Sequence, residues 1–141
     1  MIGRFFKTYR RSPDESLATS AIGAIGYYSD MKILDVHGLV DTHIAHMPPP
    51  ADFAIRRPGH GRRDLAYTIS LRPTYVMFPR ELTPQPIELW RHVPADIREV
   101  VERDYVHRSV WLRDERNDDE GYFTFFERRE SAAARTADGL S

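Results

Sequence analysis

The chain has 141 residues, of which 41% are hydrophobic and 11% aromatic, so it is long and apolar enough to bury a core as one domain. Its 20 basic and 21 acidic side chains give a net charge of -1, which gives no electrostatic case for binding nucleic acid. Cysteine is absent, which excludes disulfides, thiolate metal sites and cysteine nucleophiles. No apolar run approaches the roughly 20 residues that a membrane-spanning helix needs.

Residues 1–12 predict a short amphipathic helix at the start of the chain. Its apolar side chains recur at helical spacing, at Ile2, Phe5, Phe6 and Tyr9. Its basic side chains fall on the other face, at Arg4, Lys7, Arg10 and Arg11. Two interpretations follow: the aromatic face docks on the protein core, or the helix lies on an anionic membrane surface.

A strand at 17–20, a helix at 21–28 and a strand at 32–36 form a predicted βαβ unit, which implies a parallel pair of strands. Gly23 and Gly26 lie on one face of this helix and favour close packing on the sheet. Their G-x-x-G spacing resembles a phosphate-binding turn, but the full G-x-G-x-x-G pattern is missing. We therefore interpret the glycines as packing residues.

The rest of the chain completes a small α/β fold. Further elements are predicted as a helix within 59–70, a strand at 74–78, a helix at 95–103 capped by Asp96 or its neighbour, and a hairpin of strands 105–113 and 122–128. We expect one α/β domain over residues 1–130, with two or three layers and a partly parallel sheet of three to five strands. Residues 131–141 are small and polar and predict a disordered tail.

The strand at 32–36 runs directly into a loop that is rich in ionisable side chains. They are Asp35, His37, Asp41, His43 and His46, and a second group follows at Gly59, His60, Gly61, Arg62, Arg63 and Asp64. Ligands of open α/β sheets usually bind at the carboxyl ends of strands. The sequence therefore places the candidate site in these two segments.

Different roles are predicted for these residues. Asp35 would be partly buried and would organise the loop by accepting hydrogen bonds from the backbone near Gly38 or from an arginine, with Gly59 as a further structural position. The ligand-binding candidates lie further out, at Asp41, His43, His60 and Arg62, and an ordinary solvated loop is the alternative. Exposed loop positions carry little packing energy, so replacing Asp41 is expected to leave stability nearly unchanged.

Metal and catalytic chemistry find little support in the sequence. The loop histidines and aspartates are of the types that bind zinc or manganese, but neither H-x-x-x-H nor H-E-x-x-H occurs. No G-x-S-x-G elbow exposes a serine nucleophile. We expect no metal, no cofactor and no complete catalytic constellation.

Residues 17–75 resemble the extracytoplasmic C-terminal domain of bacterial polytopic glycosyltransferases (GT-C type), which use polyprenyl-phosphate sugar donors, and the arabinofuranosyltransferase branch in particular. The matching segment is D-V-H-G-L-V-D-T-H-I-A at 35–45, followed by G-H at 59–60 and R-P-T-Y at 72–75. The membrane body and catalytic carboxylates of that family are missing from this sequence. The resemblance implies a non-catalytic accessory domain that binds or orients a glycan acceptor in cell-envelope polysaccharide assembly. Its partners would be a glycan or lipid-linked sugar and the membrane part of the transferase.

A small cytosolic α/β enzyme or ligand-binding protein is the alternative, with Asp41, His43 and His60 around a pocket. The two interpretations place the chain differently. A transferase domain would lie on the extracytoplasmic face of the membrane, whereas a chain that starts naturally at Met1 would be cytoplasmic.

Overall fold

A computed structural model describes residues 1–49, 61–78, 81–114 and 116–139 of the chain. Five strands and six α-helices occur in these ranges. In chain order the elements are α1 (Ile2–Tyr9), β1 (Ser16–Thr19), α2 (Ala24–Ser29), β2 (Lys32–Asp35), α3 (Thr42–Ala45), α4 (Leu65–Ser70), β3 (Tyr75–Val76), a 3-10 helix (Leu89–His92), α5 (Ala95–Asp104), β4 (Tyr105–Asp114), β5 (Asp119–Arg128) and α6 (Arg129–Ala137).

The five strands form one mixed sheet in the order β2-β1-β3-β5-β4. β1 pairs in parallel with both β2 and β3, so that Leu17 lies opposite Ile33 on one side and Tyr75 on the other. β5 runs antiparallel to β3 and forms a long hairpin with β4. The predicted α/β class, the parallel pair and the C-terminal hairpin are therefore confirmed.

Alternate residues of the sheet face two hydrophobic clusters. Leu17 and Tyr75 lie in a cluster with α1, while Ala18 and Val76 lie in a cluster on the opposite face with α5. This alternation is the expected consequence of the two-residue period of a strand.

The two crossover connections of the parallel strands lie on opposite faces of the sheet. Ile25 of α2, in the connection from β1 to β2, packs on the Leu17 cluster. Leu65 and Ile69 of α4, in the connection from β2 to β3, belong to the Ala18 cluster. The two connections therefore diverge around β1, the central strand of the parallel part of the sheet.

The aromatic face of α1 packs on the sheet. Phe6 is fully buried, and the ring of Phe5 lies 6.0 Å from that of Phe123 and 5.7 Å from that of Phe125. Gly3 allows α1 to approach α2, because an added Cβ there would lie 2.8 Å from the Cβ of Tyr28. The docking interpretation of this helix agrees with the structure, and contact with a membrane surface stays a prediction.

The predicted disordered tail is wrong for residues 131–137, which continue the helix α6 from Arg129. The segment has no large apolar side chains, so its sequence lacks the hydrophobic pattern of a docked helix. Its anchors are polar: Ser131 and Arg135 are both buried against β5.

The predicted cap of α5 is also wrong, because Asp96 lies inside its first turn and Pro94 occupies the capping position without a side-chain hydrogen bond.

Glu127 of β5 is the centre of a buried polar network. Its side chain is 0% exposed, and its Oε2 accepts hydrogen bonds from the hydroxyl of Tyr9 (3.1 Å) and from Nε of Arg108 (2.9 Å). Its Oε1 accepts from Nε of Arg135 (3.2 Å) and from the hydroxyl of Ser131 (3.3 Å). One carboxylate of β5 therefore links α1 and α6 to the sheet and bonds a side chain of the neighbouring strand β4.

The network continues to the start of β1. Nη2 of Arg135 donates to the hydroxyl of Tyr75 (2.9 Å), which in turn donates to Oε2 of Glu15 (2.7 Å). Burial, followed by the hydrogen bond to Glu15, holds the pKa of Tyr75 far above its ordinary value. Tyr75 is therefore a neutral donor at any physiological pH.

His107 of β4 is expected to make the stability of the fold sensitive to mild acid. The backbone N–H of Leu89 donates to its Nε2 (3.3 Å), so this nitrogen must be unprotonated. Burial lowers the pKa of His107 below its ordinary value of 6.5, although Glu88 and the Ile87 carbonyl oppose the shift. A lowered pKa in the folded state means that stability is complete above about pH 6.5 and is lost as the pH falls below it.

We expect the urea midpoint to fall between pH 7 and pH 5, and His107→Gln to flatten this dependence, because glutamine does not titrate. Urea denaturation at closely spaced pH values measures both. The matched control is His92→Gln, at an exposed histidine in the same region, which should leave the slope unchanged. If the urea midpoint of His107→Gln depends on pH as steeply as that of the parent protein, other groups produce the dependence.

Candidate functional site

The loop that follows β2 is organised by a buried carboxylate. Asp35 is 3% exposed, and its Oδ1 and Oδ2 accept hydrogen bonds from the backbone N–H groups of His37 and Val40, both at 2.9 Å. These are backbone partners of the kind predicted for a loop organiser. The two bonds fix the backbone between residues 37 and 40.

Gly38 turns this loop toward α3. Its φ of +73° lies in the left-handed region, which favours glycine. An added Cβ would lie 2.6 Å from Cγ2 of Ile44 and 2.9 Å from the backbone nitrogen of Ala45. The loop and α3 are therefore packed as closely as their backbones allow.

Two short helices beyond this loop begin in the same way. Asp41 precedes α3, and its Oδ1 accepts a hydrogen bond from the backbone N–H of Ile44 (3.0 Å). Asp64 precedes α4, and its Oδ1 accepts from the backbone N–H of Tyr67 (2.8 Å). Both are N-caps, and helices as short as these depend on such contacts.

The second oxygen of each cap contacts a side chain of the other helix. The hydroxyl of Tyr67 lies 3.4 Å from Oδ2 of Asp41, and Nε2 of His43 lies 3.4 Å from Oδ2 of Asp64. The rings of His43 and Tyr67 stack with their centres 3.9 Å apart. We call Asp41, His43, Asp64 and Tyr67 the capping cluster. Its reciprocal contacts hold α3 and α4 side by side.

The capping cluster further favours the protonated form of Tyr67. Burial first, and then the charges of Asp41 and Asp64 with the hydrogen bond to Asp41, raise the pKa of Tyr67 above its ordinary value of 10.0. Its hydroxyl is therefore a donor, and the carboxylates beside it are acceptors. The cluster combines two carboxylates with a stacked aromatic pair.

An open cleft of about 480 Å³ lies beside the cluster, at the start of α4. Asp64 belongs to both the cleft and the cluster, and Arg62 and Arg63 lie on the cleft wall. Nε of Arg62 donates to the carbonyl oxygen of Met47 (2.7 Å), which ties the segment before α4 to the end of α3. Charged groups of both signs therefore line the cleft.

The predicted site residues are partly brought together. Asp41 and His43 both belong to the capping cluster, and Arg62 lines the same cleft as Asp64. The predicted residues Gly59 and His60 lie outside the described residues. Within the described ranges, no group of three or more His, Asp or Glu side chains could hold a metal ion.

The sequence placed Asp64 in the second polar segment without predicting a role for it, and it did not single out Tyr67. A local signal for Asp64 existed, because an aspartate directly before the apolar positions Leu65 and Ile69 is typical of a helix start. No local signal marked Tyr67, whose partners lie on another helix.

Asp41 also has a structural role that its sequence position did not predict. Asp41→Ala removes the cap of α3, so we expect it to lower the free energy of unfolding by about 1 kcal/mol, whereas Asp41→Asn should retain most of this cap. Asp35→Ala should cost more, on the order of 1–3 kcal/mol, because it leaves two buried N–H donors unpaired. Chemical denaturation of the three variants measures these changes in the free energy of unfolding. Equal losses of stability for Asp41→Ala and Asp41→Asn would contradict the capping role.

Fold and site together define a small α/β domain with a mixed sheet and a polar, aromatic cluster in the crossover from β2 to β3. The chain belongs to the family described as Domain of unknown function (DUF8728), whose model matches residues 1–127. No curated protein and no solved structure matches the chain. Among the described residues, no helix is long and apolar enough to cross a membrane.

Proposed function

We propose that this protein is a non-catalytic, glycan-binding accessory domain of a membrane glycosyltransferase. The observation that supports this proposal most directly is the capping cluster, which places two carboxylates and a stacked aromatic pair beside an open cleft. A sugar offers many hydroxyl donors and an apolar ring face. Carboxylates accept from hydroxyls, and aromatic rings cover apolar faces.

The second oxygens of the two caps are the groups that would bind hydroxyls. Oδ1 of Asp41 and of Asp64 is occupied by a helix N–H, whereas each Oδ2 has a contact of 3.4 Å, which is long for a hydrogen bond. Each Oδ2 therefore has lone pairs for a ligand. Because the caps already fix both side chains, binding would cost little conformational entropy.

The transferase part of the proposal is supported by the resemblance of residues 17–75 to the C-terminal domains of polytopic glycosyltransferases. In that setting the domain would hold or orient the glycan acceptor on the extracytoplasmic face. The membrane part of the enzyme would be its partner and would supply the chemistry.

Binding of an arabinofuranosyl oligosaccharide, measured by calorimetry and by saturation-transfer NMR, tests this function. Asp64→Asn keeps an acceptor for the cap but removes the charge, and we expect it to weaken binding about tenfold. The matched control is Asp14→Asn, at an exposed aspartate in the turn before β1, which should bind like the parent protein. The proposal fails if no glycan binds at millimolar concentration or if both variants bind equally well.

A small α/β enzyme is the second candidate, favoured by the contact between His43 and Asp64, because a carboxylate can orient an imidazole for acid–base chemistry. We expect no turnover from the isolated chain. Hydrolysis of an activated arabinofuranoside or ester that His43→Gln abolishes would support the enzyme instead.

A further inference from the structure

The topology of the sheet points to a second place where a ligand would bind. In open α/β sheets, ligands bind outside the carboxyl ends of strands, where connections diverge to opposite faces. Here the connections through α2 and α4 diverge around β1. We therefore expect the residues directly after β1, starting at Ser20, to form one wall of such a crevice.

A cleft of about 550 Å³ lies at that position, and the capping cluster is not part of it. Its walls come from the loop after β1 and the helix α2, from the loop after β2, from the start of α1 and from the end of β4. Its apolar lining includes Ile2, Ile22, Ile25, Tyr28 and Leu39. The volume is that of an ordinary small-molecule site, which is about 300–1,000 Å³.

Leu39 is held at the rim of this cleft by the loop that Asp35 organises. It is 53% exposed, yet the hydrogen bonds of Asp35 to the N–H groups of His37 and Val40 fix the backbone on both sides of it. Gly38 packs against α3 and adds a further constraint. An exposed leucine in a restrained loop is a preformed apolar contact.

The charges of the cleft favour a neutral ligand. Among the described side chains that line it, Asp114 alone is charged. Its Oδ1 accepts from the backbone N–H of Arg116 (3.2 Å) and its Oδ2 from Nδ2 of Asn117 (3.0 Å), so the carboxylate is already engaged. Ser20 provides a hydroxyl that can donate or accept one hydrogen bond.

We infer that this cleft binds a small, uncharged and largely aliphatic molecule, with the Ser20 hydroxyl as its polar contact. The inference is independent of glycan binding at the capping cluster. An apolar ligand would bind at the carboxyl end of β1, whereas a hydroxyl-rich ligand would bind at α3 and α4.

Octan-1-ol is a suitable probe, and methyl NMR is a suitable measurement. We expect saturable shifts of the methyl signals of Ile2, Ile22, Ile25 and Leu39 during the titration. Octanoate and octylammonium should bind at least about tenfold more weakly, because the apolar walls would dehydrate their charged heads and the carboxylate of Asp114 already accepts two hydrogen bonds. Absence of saturation up to the solubility limit, or equal affinity for the three probes, would overturn the inference.

Gly23 allows the cleft to be blocked without disturbing its walls. A Cβ added at Gly23 meets nothing within 4 Å, and its φ of -68° lies outside the left-handed region. Because Gly23 lines the cleft, Gly23→Leu should narrow it and weaken octan-1-ol binding at least tenfold. The matched control is Leu71→Ala, at an exposed leucine after α4, which should bind like the parent protein.

Leu39→Asp is the second variant, because it places a charge at an already exposed rim position and needs no space inside the cleft. It should also weaken octan-1-ol binding at least tenfold while the protein stays folded. Unchanged binding in a folded Gly23→Leu or Leu39→Asp protein would show that the probe binds elsewhere and would refute the assignment.

Discussion

Replacing Glu127 with alanine is expected to lower the free energy of unfolding by about 3–5 kcal/mol. The change leaves the buried guanidinium of Arg135 without its carboxylate, and the hydroxyls of Tyr9 and Ser131 lose an acceptor. A buried charge without a partner costs more than the pair contributed, because water cannot solvate it. Urea denaturation followed by circular dichroism measures the loss.

Glu120 provides the matched control for this change. It lies on the same strand, β5, but is exposed, and its ion pair with Arg113 is 3.7 Å long. Glu120→Ala should change stability by no more than about 0.5 kcal/mol. A loss below about 1 kcal/mol in Glu127→Ala would mean that the network contributes little and that Arg135 reaches water when its partner is removed.

The second large effect is expected at Gly38. An alanine there must adopt the left-handed backbone, at a cost of about 1–2 kcal/mol, and its Cβ must displace the fully buried Ile44, at a further cost of about 1–3 kcal/mol. We therefore expect Gly38→Ala to destabilise the protein by roughly 2–5 kcal/mol. Thermal and urea denaturation measure it.

Gly23→Ala is the control for Gly38→Ala. Its Cβ enters open space at a negative φ, so the change should be neutral or slightly stabilising. If both alanine variants unfold at the same denaturant concentration as the parent protein, the loop after β2 is not constrained in the way that the contacts with Ile44 imply.

Much of the fold could be predicted because its signals are local. The apolar strands around Leu17 and Ile33, separated by a glycine-bearing helix, predicted the parallel pair that the structure confirms. Asp35 could be identified as a loop organiser because a carboxylate at the end of a buried strand needs partners, and the next backbone N–H groups are the nearest ones.

The remaining features depend on contacts that join distant parts of the chain. α6 could not be recognised because its anchor is Arg135, a residue type that a sequence pattern assigns to solvent. The capping cluster could not be assembled because Tyr67 and Asp41 are 26 positions apart and meet only when α3 and α4 lie side by side. The sequence identified polar segments, but not which of their side chains meet.

The contact between Tyr9 and Glu127 has a consequence for how the protein folds. The two residues are separated by 118 positions, and the rings of Phe5 and Phe6 also pack on β5. During synthesis, α1 therefore leaves the ribosome long before β5, and the part of its aromatic face that β5 covers stays exposed to water until then. Long-range contacts of this kind slow folding, because a large loop must close before any contact energy is gained. We therefore expect the docking of α1 to be a late step, and a nascent chain that ends before β5 to be prone to aggregation.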